Sequence, residues 1–199
     1  WWSLVTMQLD DHELDRDGFA VRRAVLDQAG IVRLRAEADH VASVADTPPE
    51  NGGGDTLFIN MYRAYETLAA PVRAMIDGLT AVHDGDKVYR VRQGKTLSQP
   101  APNAEHPVVR THPVTGRRAL FVNRNFTSHI VGVSRMESDS ILDMLYRHCE
   151  QDDFKCRFKW RPNSIAFWDN RCTMHLAMWD YFPQRRYGHR VTIAGTRPE

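Results

Sequence analysis

The chain has 199 residues, of which 42% are apolar and 26% charged, and its formal net charge is +1. That length suffices for one domain with a sizeable core, and the composition is that of an ordinary soluble globular protein. No Lys/Arg block and no large net charge argue for nucleic acid, and no apolar run is long enough to span a bilayer. The three cysteines, Cys149, Cys156 and Cys172, are odd in number and show no CxxC spacing. A disulfide framework or zinc knuckle is therefore not expected, and the compartment reads as reducing and cytoplasmic. The start, Trp1-Trp2-Ser3-Leu4-Val5, has neither the basic region nor the cleavage site of a signal peptide. Without an initiator Met, the chain is expected to begin inside a longer natural one.

Residues 14–29 read as a helix, with Phe19, Val21, Val25 and Leu26 apolar and Gly30 as a stop. Ile31-Val32-Arg33-Leu34 reads as a short strand, and residues 48–54 as a Pro/Gly-rich loop. Thr56 to Ile59 is a second strand. Residues 61–79 are helical in pattern, and Pro71 is placed to start a second helix there. Residues 90–105, with Gly94, Pro100 and Pro102, read as a mobile loop. From His106 the pattern turns to β. Val108–Thr111 and Ala119–Val122 flank His112-Pro113-Val114-Thr115-Gly116, a hairpin signal. Ser134 and Glu137 form a capping box ahead of a helix with Ile141, Leu142, Leu145, Tyr146 and Cys149 on one face. Cys156, Phe158 and Trp160 alternate with charged residues as in a half-buried strand. Ile165–Trp168 reads as a fully buried strand and Arg190–Ile193 as the last one. Short strands with interspersed helices suggest a sandwich or jelly roll with helical decoration.

The stretch with chemical content is Trp168-Asp169-Asn170-Arg171-Cys172-Thr173-Met174-His175, followed by Asp180-Tyr181 and Arg185-Arg186-Tyr187-Gly188-His189-Arg190. A neutral imidazole is a common metal ligand, and an Arg fork binds a carboxylate through two parallel hydrogen bonds. An iron(II) oxygenase needs two histidines and one carboxylate on one face of the metal. On His175 and Arg186 alone, a core histidine and surface arginines explain the pattern better.

The wider sequence resembles the taurine dioxygenase-like family of Fe(II)/2-oxoglutarate-dependent dioxygenases. The resemblance runs from Gly52 to Pro198. It is carried by Gly53-Gly54-Asp55-Thr56-Leu57, Ala64-Tyr65-Glu66, Gly78-Leu79-Thr80-Ala81-Val82-His83-Asp84, the run from His106 to Pro113, Trp168-Asp169-Asn170-Arg171, and His189-Arg190-Val191-Thr192. It implies a mainly β fold with flanking helices, the double-stranded β-helix or jelly roll, as a single domain over residues 1–199. It also implies Fe(II), 2-oxoglutarate and O2 as cofactors and cosubstrates, with a small organic acid hydroxylated while 2-oxoglutarate yields succinate and CO2. The acid would be a sulfonate such as taurine, a sulfate ester or a carboxylate. By position, His175 matches an iron ligand, Arg186 the arginine that grips the far carboxylate of 2-oxoglutarate, and Thr56 the threonine that assists it. Arg190 matches a substrate-binding arginine, and Phe126 and Tyr89 fall where aromatics line the substrate pocket. Asp169 and Asn170 match residues that fix the loop before His175. His106, His112 and His189 read as structural hydrogen-bonders, Trp168 as core, and Arg185 as a solvated neighbour.

One departure stands out. The family's first metal motif is His-x-Asp, and none occurs in this sequence. His40-Val41-Ala42 lacks the carboxylate, and His148-Cys149-Glu150 falls at a helix end, where it reads as structural. The sequence is therefore expected to lack natural segments near 35–47 and within 91–104. A metal-less relative that binds a small acid without turnover is the alternative. The partner is expected to be a small anion, with neither nucleic acid nor membrane, in a homo-oligomer.

Overall fold

A computed structural model describes residues 53–88, 101–161, 164–186 and 190, together with the backbone of residues 19–22; Ile165 is also described by its backbone alone. The chain divides into two compact units, one of residues 1–58, 156–169 and 175–196, the other of residues 59–155, 170–174 and 197–199.

The unit built mainly from 59–155 holds most of the helix. Helix α1, Met61–Glu66, is capped by Asn60, whose side chain accepts from the Arg63 N–H at 3.1 Å. Helix α2, Ala70–Ile76, has Pro71 in its first turn, where the missing N–H costs nothing. The expected two helices within 61–79 are thus present. Strand β3, Thr80–Asp84, pairs antiparallel with β4, Asn103–Pro107, and with β7, Thr127–Ile130. β4 corrects part of the loop expected over 90–105. Its side chains are exposed or half-buried, three of the five polar, which suits the edge of the order β4-β3-β7, and Pro107 closes it. Strands β5, Val109–Thr111, and β6, Arg118–Leu120, form the expected hairpin, with Val109 opposite Leu120.

Helix α3, Arg135–Cys149, carries the expected capping box: the Ser134 hydroxyl takes the Glu137 N–H, and the Glu137 carboxylate takes the Ser134 N–H. Its buried face is Ser138, Leu142, Leu145, Tyr146 and Cys149. Ile141 is only partly buried, and Ser138 takes a place on that face because its hydroxyl accepts the Ile130 N–H at 2.9 Å. Tyr62, Ile76, Leu120, Ile130 and Leu145 centre this core. Each such side chain stabilises by about 1.5–3 kcal/mol on burial.

The other unit contains the strand pair β1, Phe19–Arg22, and β9, Ile165–Trp168, with Phe19 opposite Trp168 and Arg22 opposite Ile165. At Phe19–Arg22 this corrects the helix expected over 14–29, whose other residues lie outside the described ones: Phe19-Ala20-Val21-Arg22 fits either period, and pairing with β9 decides for strand. β9 itself is not fully buried as expected. Phe167 is 45% exposed, and Ala166 and Trp168 are only half-buried. A three-stranded sheet has the order β10-β2-β8, with β2 Thr56–Asn60, β8 Lys155–Phe158 and β10 Thr173–Ala177. The strand expected over 31–34, residues 35–47 and Val191–Ile193 lie outside the described residues.

Candidate functional site

The approach to β2 is Gly53-Gly54-Asp55. Both glycines have left-handed φ, +89° and +66°, which a side chain tolerates poorly. Space forbids one too. A Cβ on Gly53 would sit 2.7 Å from the Asp180 carbonyl oxygen, and one on Gly54 2.7 Å from Arg186 Cδ. The backbone is bare here so that two later segments can approach.

Four contacts tie this approach to residues 178–180 and to β8. The Gly54 N–H donates to Asp180 Oδ1 at 2.7 Å, and the Met178 N–H donates to the Asp55 carbonyl at 2.8 Å. From β8, Arg157 donates to Asp55 Oδ2 at 2.7 Å and to Asp180 Oδ2 at 3.0 Å, so one guanidinium clamps two carboxylates. The Gly54 N–H, helped by Arg157, holds the Asp180 carboxyl below the usual carboxylate range. Asp55 is buried, and its ion pair with Arg157 offsets the burial of its charge.

Arg186 lies against this frame. Its Nε donates to the Gly54 carbonyl at 2.7 Å, and its Nη2 is 3.5 Å from Thr56 Oγ1. Its guanidinium carbon lies 6.0 Å from the Trp160 ring centre. Among the described residues no carboxylate forms an ion pair with Arg186, whereas Asp55 and Asp180 are both held by Arg157. A half-buried cation with no counter-charge among the described residues, next to a hydroxyl, is suited to a carboxylate ligand.

His175 stands on β10, next to β2 in the sheet. Its ring contacts Trp168 at 5.1 Å and Phe58 at 6.3 Å between centres. Burial lowers its pKa, and the charge of Arg190 lowers it further. The imidazole is therefore neutral at pH 7, the form that can give a nitrogen lone pair to a metal.

The structure brings Thr56 and Arg186 together and places His175 in the same unit. Arg190 is exposed, and its charge acts on His175. Phe126 belongs to the other unit, in the turn before β7, and is 37% exposed. Tyr89 and His189 lie outside the described residues. Asp169 and Asn170 occupy the connection between β9 and β10. His112 is structural: its Nδ1 accepts from the Val114 and Thr115 N–H groups at 3.3 and 3.1 Å and shapes the hairpin turn. His106 packs edge-on to His83 and Phe121. His148 bonds the Ala64 carbonyl at 2.8 Å, and burial pushes the Cys149 thiol up to about 12, so that helix end is structural as well.

Sequence reasoning passed over Arg157 and Trp160 as site residues. Both follow the strand alternation from 155 to 160, which marks them as strand residues and nothing more. Asp55 and Asp180 lay in stretches already singled out, but their shared partner is visible only in three dimensions.

The described residues thus combine a mainly β fold with flanking helices, an arginine beside a threonine hydroxyl, and a half-buried histidine on the strand next to that threonine. The profile of the family "Taurine catabolism dioxygenase TauD, TfdA family" matches residues 38–192, and the chain belongs to that family. Its fold is accordingly the family's jelly roll. A crystal structure of a taurine dioxygenase from Burkholderia xenovorans superposes with a TM-score of 0.61 at 43% identity, covering 71% of this chain and 47% of that one. An alpha-ketoglutarate-dependent sulfonate dioxygenase of Saccharomyces cerevisiae is 37% identical over 160 residues, 78% of this chain and 38% of its own. An alpha-ketoglutarate-dependent sulfate ester dioxygenase of Pseudomonas putida is 36% identical over 157 residues, 73% of this chain and 52% of its own. The chain thus spans about two fifths to one half of the length of these curated relatives.

Proposed function

We propose that the full-length protein is an Fe(II)- and 2-oxoglutarate-dependent dioxygenase that hydroxylates a small organic acid. The observation that carries this is Arg186, half-buried beside Thr56 and not neutralised by any described carboxylate. It supports a role in gripping the far carboxylate of 2-oxoglutarate, with Thr56 as the second donor. His175, neutral and half-buried, fits as one metal ligand. Bound iron and 2-oxoglutarate would supply the oxygen chemistry, releasing succinate and CO2. The chain's own work is to hold and orient: Arg186 and Thr56 fix one end of the cosubstrate, the Asp55–Arg157–Asp180 clamp fixes Gly54 beneath Arg186, and Trp168 and Phe58 wall the His175 ring. The two other metal ligands, a His-x-Asp pair, are expected from a natural segment near 35–47.

The substrate class we favour is an anion such as a sulfonate, sulfate ester or aryloxy or alkyl carboxylate, with Arg190 on its acidic group and Phe126 and Tyr89 along its carbon skeleton. The names of the similar sulfonate and sulfate ester dioxygenases support that class. A cytoplasmic homo-oligomer is part of the same reading; no helix among the described residues is long and apolar enough to cross a membrane. The test is turnover. Full-length protein with Fe(II), ascorbate and 2-oxoglutarate should form succinate, faster with the right acid present. If iron does not bind and no succinate forms across sulfonates, sulfate esters and aryloxy acids, the non-catalytic alternative stands.

A further inference from the structure

Thr56 sits at the start of β2, only 5% exposed. A hydroxyl has one proton to give and two lone pairs to accept with. Its two hydrogen-bonding neighbours among the described residues are the Trp160 indole N–H, 3.0 Å from Oγ1, and Arg186 Nη2 at 3.5 Å. Indole and guanidinium N–H groups can only donate. Both therefore point protons at the Thr56 oxygen, and the hydroxyl proton of Thr56 has no acceptor among the described residues. A buried donor without an acceptor is costly and implies a partner to come.

Trp160 lies two residues past the end of β8, the strand beside β2 in the sheet. The buried Phe158 packs edge-on against it, with ring centres 4.7 Å apart at 88°, and props the indole in place. The same indole presents its ring towards Arg186. One side chain thus touches both residues of the carboxylate site.

We propose that Trp160 is a positioning residue for the cosubstrate: its indole N–H occupies a lone pair of Thr56 Oγ1 and turns the threonine proton outward, committing Thr56 to donate to the carboxylate that Arg186 holds. This rests on the reading of Thr56 and Arg186 as the 2-oxoglutarate site. It accounts for a tryptophan at this place, since phenylalanine would keep an aromatic ring near the guanidinium but leave the hydroxyl free to turn. The acid favoured by such a site is one with only acceptors at its end, a carboxylate.

The test is calorimetric binding of 2-oxoglutarate to full-length, Mn(II)-loaded protein without oxygen. Trp160→Phe should weaken binding about three- to tenfold, the worth of one neutral hydrogen bond. Thr56→Val should weaken it at least as much, and Thr56→Ser should restore it. The double variant Trp160→Phe/Thr56→Val should bind no worse than Thr56→Val alone, because Trp160 acts through the hydroxyl. Losses that multiply would show a merely structural tryptophan and overturn the proposal. If wild type binds and Trp160→Phe binds equally well, the proposal alone fails; if wild type does not bind, the carboxylate site fails and takes the proposal with it. Should Trp160→Phe not fold, the Trp160 indole N–H signal in 15N-labelled protein decides. It should shift in Thr56→Val and return in Thr56→Ser; an unmoved signal overturns the proposal.

Discussion

Gly54→Ala separates the two reasons for that glycine. The new methyl meets a backbone at φ +66° and lies 2.7 Å from Arg186 Cδ. The backbone strain costs about 1–2 kcal/mol. The second contact is with a flexible side chain, which can swing aside, so stability should suffer little more. What is lost is the aim of Arg186: its Nε leaves the Gly54 carbonyl, now 2.7 Å away, and its fork no longer faces the carboxylate proposed to bind beside Thr56. A charge-assisted pair is worth about 1.5–3 kcal/mol, so affinity for 2-oxoglutarate should fall roughly tenfold to over a hundredfold. Two companion variants calibrate this. Gly116→Ala, at φ +68° with nothing within 4 Å of the new methyl, measures the backbone term alone. Gly53→Ala meets the Asp180 carbonyl at 2.7 Å, which cannot swing aside, and should destabilise more than either, by about 2–4 kcal/mol. Urea unfolding gives the stabilities and calorimetry the affinities. If Gly54→Ala binds 2-oxoglutarate as wild type does, Arg186 does not hold its carboxylate from this position, and the bare backbone at Gly54 has no part in binding.

Arg186→Lys keeps the charge but loses the planar fork, and should weaken 2-oxoglutarate binding by about tenfold or more. Arg190→Ala should instead raise KM for the primary substrate while leaving uncoupled 2-oxoglutarate turnover largely intact; the opposite pattern in steady-state kinetics would exchange the two roles. Leu145→Ala, fully buried in the α3 core, should cost about 2–5 kcal/mol in urea unfolding. His83 is lowered to about 4 by burial and by His106 beside it, with Lys87 adding to the effect. The unfolded chain then binds the extra proton first, so stability should fall as pH drops from about 6.5 towards 4. His83→Gln should flatten that part of the pH–stability curve, and an unchanged curve would refute the assignment.

The elements legible in the sequence were those specified locally. The capping box of Ser134 and Glu137 and the hairpin turn ending in Gly116 act within a few residues, and the structure shows both. Pro71 announced the start of α2 for the same reason. Phe19–Arg22 and Asn103–Pro107 were misread because four or five residues carry too little periodicity, and a distant partner strand decides them. At the site, Thr56, His175 and Arg186 could be named from resemblance, and the structure places the first and last side by side. Trp160 and Arg157 could not be, since a tryptophan and an arginine in an alternating strand read as packing and solvent exposure. Their meaning lies in which hydroxyl and which carboxylates they reach.

The contacts around Gly54 also bear on how the chain acquires its site. Arg186 reaches Gly54 across 132 residues of sequence, Trp160 reaches Thr56 across 104, and Arg157 reaches Asp55 across 102. None of these loops can close early at low entropic cost, whereas α3 and the β5–β6 hairpin form from neighbours. On the ribosome, the glycine segment emerges long before the arginine it must receive. The proposed carboxylate grip is therefore a late product of folding, and in pulse-labelled hydrogen exchange the Gly54 and Met178 amides should gain protection after those of α3.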